Sequence, residues 1–318
     1  MAIENRTLGR TGLTVSLLGL GGGGNSRLGL STGMSEAHAA DVVRAALDMG
    51  ITLLDTARVY QTEHAVGMAL QGRRREGVVI SSKSPYLDAS GQILTAQAFQ
   101  ENLETSLREL GVEMIDVYFI HGLGLAYYDA SRERFLPVLE RARQAGKIRF
   151  IGITEAFERD TRHEMLQRVV QDTDWDVFMV GFNILNQSAR ERVLAVTRHK
   201  GTATMGMFAV RRGLIDTHLL RGLLRRLAEN GEIDPNLANA PDLMESLGLR
   251  GACETLSEAA YRFSAYEPGM DCVLSGTSSA AHLKENLEAV QRGPLPADAL
   301  ARLKQLFYKV DSLSGQIR

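Results

Sequence analysis

Cysteine is scarce in this chain of 318 residues: only Cys253 and Cys272 occur, with no CxxC pair and no neighbouring histidine couple. That excludes a disulfide framework and a zinc ribbon, and it suits a reducing compartment. Long hydrophobic runs are absent too. Nowhere do about 18 consecutive apolar residues occur, and Met1–Arg6 lacks the apolar core of a signal peptide, so a soluble, cytoplasmic protein is expected. Nor does one sign of charge dominate, with 36 basic against 38 acidic side chains and a formal charge of −2. Both signs are spread along the chain, so no basic stripe points to nucleic acid and no polybasic segment to a membrane surface. The expected partner is a small molecule; the oligomeric state stays open. Hydrophobic residues make up 44% and charged ones 23%, which is enough to bury a core and excludes a disordered scaffold as the main body.

Strand-like and helix-like segments alternate from end to end, which implies a parallel sheet. The strands read as Val15–Gly22, Ile51–Asp55, Val78–Lys83, Ile115–Ile120, Ile148–Ile153, Val177–Phe182, Thr202–Phe208 and Cys272–Gly276. Between them lie amphipathic stripes. Ala39, Val42, Val43, Ala46 and Leu47 form one before Gly50, Phe99, Leu103, Leu107 and Leu110 another before Gly111, and Phe135, Val138, Leu139 and Ala142 a third before Gly146. Glu63–Leu70 and Asp160–Val170 read as further helices, and Ser188 with Glu191 matches a capping box opening a helix to about Lys200. A long excursion follows the seventh strand, through Leu219–Leu227, the Asp234–Pro241 loop and a helix with Leu256, Ala259, Ala260 and Phe263. Eight β/α units without a composition break predict a single (β/α)8 barrel over residues 1–318, with C-terminal helices. Thr7–Val15, with Gly9-Arg10-Thr11-Gly12 at its centre, reads as an N-terminal hairpin able to plug the barrel floor.

Gly19-Leu20-Gly21-Gly22-Gly23-Gly24 satisfies GxGxxG, but the dinucleotide fingerprint needs a helix starting at its last glycines, and here the helix waits until about Ser35. A glycine-rich barrel rim is the better account. In a barrel, chemistry gathers where strands end. Asp55 closes the second strand, Tyr60 follows in its loop, Lys83 closes the third and His121 the fourth, so neighbouring strands bring the four together. Singly, each has a structural explanation as a turn cap, a core-edge ring, a rim charge or a satisfied polar group. Jointly they offer a phenol, a cation that lowers its pKa, a carboxylate that holds the cation, and an imidazole. The other histidines show no HxH or HExxH spacing, so a metal hydrolase is poorly supported.

These residues resemble those of the aldo-keto reductases, bacterial members included. Leu8–Ser16 looks like that family's opening hairpin, and Asp55, Tyr60, Lys83 and His121 fall on its catalytic tetrad. The resemblance implies carbonyl reduction or alcohol oxidation with NAD(P)H, the choice between NAD and NADP being undetermined. It also implies coenzyme contacts from Gly21 and from Gly276-Thr277-Ser278 with His282, Glu285 and Asn286 after the eighth strand. Departures fall around the nicotinamide. Thr154-Glu155 stands where the family has Ser-Asn for the carboxamide, Met179 where it has glutamine, and Met207, with Phe208 beside it, where it has a stacking aromatic.

Many NADP-using relatives place a lysine and an arginine where this chain has Gly276 and His282, so strong NADP selectivity is not expected. Ionised, Glu155 is acceptor-only. Near the ring it would favour the oxidised coenzyme; the alternative is that it turns to solvent or pairs with Arg211 or Arg212. A substrate pocket is expected from the loops after the first and fourth strands, with Tyr127 and Tyr128, and from Asn236–Leu247 of the excursion. Phe182-Asn183 and Leu185-Asn186 look like relatives that oxidise aldoses such as galactose or fucose, and a coenzyme-binding redox-sensing subunit is a third reading. The substrate is thus a small carbonyl compound or a sugar.

Overall fold

A computed structural model describes residues 3–316, so the two residues at each end of the expected 1–318 domain lie outside the described residues. An antiparallel hairpin comes first, β1 (Asn5–Thr7) paired with β2 (Thr14–Ser16). Eight parallel strands then close into a barrel in chain order: β3 (Leu18–Gly21), β4 (Leu53–Asp55), β5 (Val79–Pro85), β6 (Ile115–Leu123), β7 (Ile148–Glu155), β8 (Val177–Gly181), β9 (Ala203–Met207) and β10 (Cys272–Ser275). β10 returns to pair with β3. The helices between the strands are α1 (Glu36–Asp48), α2 (Glu63–Leu70), α3 (Ala96–Leu110), α4 (Tyr128–Gln144), α5 (Glu164–Val169) and α6 (Ala195–Lys200). The excursion before β10 holds α7 (Thr217–Glu229), α8 (Pro235–Asn239), α9 (Leu243–Ser246) and α10 (Leu256–Ala265); α11 (Ala280–Gln291) and α12 (Ala297–Phe307) follow it.

The helices form where stripe and cap agree. In α3, Thr95 accepts the Ala98 N–H at 3.1 Å, Phe99, Leu103, Leu107 and Leu110 face the barrel, and Gly111 ends the helix at φ 64°. Four sequence expectations need correction, the first being the Asp234–Pro241 loop, most of which is the short helix α8 with Asp234 as its cap. The run Val15–Gly22 is broken at Leu17, so its first residues belong to the hairpin and the rest to the barrel. The capping box at Ser188 is not made, because the hydroxyl donates to Asn186 Oδ1 at 2.7 Å and helical geometry starts at Arg190 with a π-turn. The helix expected from Asp160 starts only at Glu164, since His163 sits at φ 60° and both Asp160 carboxylate oxygens cap the first turn, taking the N–H groups of Glu164 and Met165. The GxGxxG stretch carries no helix start, as expected: α1 opens at Glu36, with Ser35 as its cap.

Two apolar clusters hold the barrel. The larger lies between strands and helices; the smaller fills the lumen, where Leu8, Leu13 and Val15 of the hairpin segment pack against Leu53, Val79, Val117, Phe119 and Met205. The hairpin is therefore the plug its position suggested. Burying each such side chain contributes roughly 1.5–3 kcal/mol. At the strands' N-terminal ends, polar side chains fix the register. Asp116 takes the Ile80 N–H at 2.9 Å, Asp176 that of Ile151 at 3.0 Å and Asp271 that of Thr204 at 2.8 Å, while Ser16 and Thr52 exchange two such bonds. The floor is thus committed to stability, leaving the opposite mouth for chemistry.

Burial pushes the Asp271 carboxyl up to about 6, despite the Thr204 N–H. An unfolded aspartate titrates near 3.9, so the folded chain keeps this proton where the unfolded chain has released it. The contribution is fully present below about pH 4 and lost as pH rises through about 6, on the order of 2–3 kcal/mol in all. Urea unfolding of wild type and Asp271→Asn should therefore show the wild type's relative stability falling by about that amount between pH 4 and pH 7. A stability difference that stays constant across this range would refute the assignment.

Candidate active site

Side chains alternate along a strand, so Ser81 and Lys83 share the lumenal face of β5 while Ser82 points outward to Glu63. Parallel pairing sets Asp55 beside Ser81 and Pro85 beside His121. Lys83 therefore arrives under the mouth with no solvent exposure, next to an Asp55 that is 4% exposed. Its ammonium donates to both Asp55 oxygens at 2.7 Å and to the Thr56 carbonyl at 2.8 Å, so all three protons are placed. Ser81 Oγ donates to Asp55 at 2.6 Å.

Tyr60 ends a tight turn, Arg58–Tyr60, held from both sides. Arg58 pairs with the buried Glu63, and the hydroxyls of Thr56 and Thr62 meet at 2.7 Å. The phenol oxygen stands 3.2 Å from His121 Nε2, the rings meet edge to face at 5.3 Å, and Lys83 Nζ lies 4.9 Å from the Tyr60 ring centre. Gly23 lets the ring in, because a Cβ there would sit 2.5 Å from it. Beyond His121 the chain turns at Gly122 with φ 63°, its N–H bonded to Thr154 Oγ1 at 2.6 Å. Burial raises the Tyr60 pKa while Lys83 pulls it down. The expected lowering by Lys83 is thus present but outweighed. Burial, and secondarily Lys83, push His121 down to about 3.

A cleft of about 920 Å³ opens at Asp55 and Tyr60 and runs across the barrel mouth. Gly21, Met179, Met207 and Phe208 line it near Tyr60; Gly276, Thr277, Ser278, His282, Glu285 and Asn286 line its far end. These are the positions expected to hold a coenzyme, and the walls fit a nicotinamide dinucleotide. A Cβ on Gly276 would lie 3.5 Å from the Gly21 carbonyl, narrowing the neck between them, and the loop leads into the Ser279-capped N-terminus of α11, whose dipole favours phosphate. His38 Nε2 holds the loop through the Ser278 carbonyl at 2.9 Å, and Asn286 through Ser275 Oγ at 3.0 Å.

Several expected residues lie elsewhere. Glu155 neither lines the cleft nor pairs with an arginine. Its carboxylate is buried against His163 Nδ1 at 2.8 Å and the Gly181 N–H at 2.7 Å, so the expected preference for oxidised coenzyme loses its cause. Thr154 is 1% exposed and outside the cleft wall. Tyr128 does not line the cleft: it is 1% exposed, bonded to Asp172, and receives Trp175 Nε1 at 3.0 Å. Tyr127 packs on Tyr86 at 5.4 Å, and neither it nor any residue of Asn236–Leu247 lines the cleft. Asn183 and Asn186 are buried staples, donating to the carbonyls of Ser314 and Leu313.

Other lining residues were not named individually, although the loop after the first strand and the excursion were expected to contribute. Asn25 and Ser26 come from the β3 loop, Arg211, Arg212 and Ile215 from the β9 loop, and Gln316 from the tail that those asparagines hold. Glu254 and Glu258 enter from the excursion. The sequence signalled the β3 loop through its glycine-rich rim and the excursion by its length, but Gln316 reaches the site through tertiary contacts alone. Among the described residues no cluster of three or more histidine, cysteine or carboxylate side chains suits a metal, and no helix is long and apolar enough to cross a membrane.

A family model described as the aldo/keto reductase family matches residues 17–307. A curated Escherichia coli relative, the NADH-specific methylglyoxal reductase, is 25% identical over 92% of this chain and 95% of its own. The L-galactose dehydrogenase of Arabidopsis thaliana is 27% identical over 91% of this chain and 88% of its own. Among solved structures, the holo form of a Bacillus halodurans aldo-keto reductase superposes with a TM-score of 0.72 at 23% identity, covering 95% of this chain and 96% of that one.

With a pKa of about 3, the His121 imidazole stays neutral throughout the range in which enzymes are assayed. Histidine ring signals in NMR spectra recorded between about pH 5 and 8 should show His121, assigned through His121→Asn, without a protonation step. A titration near the ordinary value of about 6.5 would contradict the lowering by desolvation and Lys83.

Proposed function

The chain belongs to the aldo/keto reductase family of NAD(P)-dependent oxidoreductases, and on that premise we propose that it reduces a small aldehyde or ketone with NADH, Tyr60 giving the proton. The observation that carries this reading is the Tyr60 phenol, 3.2 Å from His121 above the Lys83–Asp55 pair, at the head of the dinucleotide-sized cleft. When bound, the coenzyme supplies hydride in reduction or accepts it in oxidation. Tyr60 is held protonated by burial, as a general acid must be, and gives its proton to the carbonyl oxygen as charge develops there. Lys83 stabilises the phenolate left behind; Asp55 keeps that charge in place, a preorganised field needing no rearrangement during reaction. His121, being neutral, hydrogen-bonds the substrate oxygen without competing as an acid. With the Glu155 carboxylate turned away from the cleft, that residue gives the site no bias toward oxidation.

The preference for NADH over NADPH follows from the far end of the cleft. No lysine–arginine clamp for a 2′-phosphate exists at Gly276 and His282; instead Glu254, Glu258, Glu285 and Glu288 line the wall. Arg292 is occupied by Glu258 at 2.8 Å and Glu254 at 3.5 Å, and Lys284 by Glu288 at 3.8 Å. A phosphate at that end would face these carboxylates, with Arg292 and Lys284 already paired to them, whereas a ribose diol can donate to them. The NADH-specific Escherichia coli relative supports the same choice. A second reading, oxidation of a sugar with NAD+ by the same residues in reverse, is favoured by the similarity to L-galactose dehydrogenase. A coenzyme-sensing subunit would bind NADH and turn over neither substrate class.

Assays with NADH on small aldehydes and ketones, and with NAD+ on aldoses, separate the three readings by which panel turns over. Tyr60→Phe should lower kcat by about 10²–10⁴-fold and leave the NADH dissociation constant nearly unchanged, the usual loss for a missing general acid. Turnover like that of wild type would rule Tyr60 out as the proton donor. The ratio of dissociation constants should favour NADH. A preference for NADPH above about a hundredfold, near 2.7 kcal/mol, would overturn the reading of the acidic wall.

A further inference from the structure

Between the exits of β7 and β9 stands a stacked column that takes no part in proton donation by Tyr60. Arg211 lies over the Phe208 ring, its guanidinium carbon 3.9 Å from the ring centre. Phe208 is nearly parallel to Phe157 at 6.2 Å, and Phe157 to the His163 imidazole at 5.1 Å. A carboxylate closes each end. Glu158 pairs with Arg211, and Glu155 holds His163. Because Glu158 follows β7 and Arg211 follows β9, their ion pair ties the two loops together across β8.

Two features show that this column is held in place against local preference. Phe208 has φ 66°, a left-handed backbone that bulky side chains rarely adopt without surroundings that enforce it. Arg211 Nε is buried without a hydrogen-bond partner, so the guanidinium sits where stacking and Glu158 place it rather than where all its donors would be satisfied. Meanwhile the cleft wall beside Tyr60 is made of Met179, Met207 and Phe208, which offer no strong hydrogen-bonding side chain, and Thr154 and Glu155 do not reach it. A ring bound there is confined by shape, so the wall has to be rigid.

Resting on the coenzyme reading above, we propose that Arg211 and Glu158 are positioning residues that lock the Phe208 ring as the apolar wall confining the redox end of the coenzyme beside Tyr60. Arg211 acts through Phe208: its cation is attracted to the ring face, and Glu158 keeps the cation from swinging away. Removing either leaves the strained Phe208 backbone free to relax and the wall free to move. The α11 end of the cleft is untouched, so affinity for the whole dinucleotide is retained while the placement of its reactive ring is lost. Misplacement at that end is felt chiefly in the chemical step.

The test combines NADH fluorescence with kinetics on Arg211→Met, Glu158→Gln and Phe208→Gly. Glycine accepts a left-handed backbone, so Phe208→Gly removes the ring without straining the chain and stands in should Arg211→Met fold poorly. Wild type should raise and blue-shift NADH emission on binding, as a ring entering an apolar, rigid wall does. In the variants most of that emission change should disappear and kcat fall by about tenfold or more, with the NADH dissociation constant within about threefold of wild type. Folded Arg211→Met and Phe208→Gly proteins with wild-type emission and kcat would overturn the clamp and leave the coenzyme reading standing. Failure of wild type to bind NADH at all would overturn both.

Discussion

The ion pair between Lys83 and Asp55 is the constraint on which the mouth of this barrel depends. An ammonium with no solvent exposure is tolerable only if its charge is compensated and its protons are placed, and here two carboxylate oxygens and one carbonyl do both. Breaking such a pair by removing one partner commonly costs about 3–5 kcal/mol, because a buried charge is left behind. The partners come from β4 and β5, so the pair also holds the ends of those strands at a fixed distance. The turn carrying Tyr60 rises directly from Asp55 and is closed by Thr56, Thr62, Arg58 and Glu63. The phenol, the cation and the imidazole therefore form one rigid group rather than separate rim residues.

The two ends of the barrel divide the polar groups by purpose. At the floor, carboxylates and hydroxyls are consumed by backbone N–H groups, and the hairpin segment seals the lumen with Leu8, Leu13 and Val15. At the mouth, polar groups remain available around Tyr60 and along the α11 end of the cleft, while the middle is walled by sulfur and aromatic rings. The Arg211–Phe208–Phe157–His163 column belongs to that middle. It stiffens a region where side-chain hydrogen bonds toward the cleft are missing.

The eight-unit rhythm, the hairpin and the strand ends carrying Asp55, Tyr60, Lys83 and His121 were legible because each rests on local information. Hydrophobic period, a cap or a glycine stop, and position at a strand's C-terminal end can all be read within a window of a dozen residues. Glu155 shows where that stops. The family resemblance set it beside the coenzyme, yet its carboxylate faces His163, because His163 follows in a left-handed turn that no local pattern announces and brings a partner into the interior. Tyr128 fails for a similar reason: it begins α4, and the face of that helix on which it falls is committed to Asp172 and Trp175.

By itself, then, the sequence determined the barrel, its plug and the identity of the four groups at its mouth, since burial period and strand-end chemistry are properties of adjacent residues. Only the tertiary structure decided which way the β7 and β9 exits turn their side chains, which carboxylates gather around Arg292, and that the tail lays Gln316 on the cleft wall. Those contacts join residues far apart in the chain. Their outcome depends on competition among several possible partners for the same buried charge or ring, and that competition is settled only when the barrel has closed.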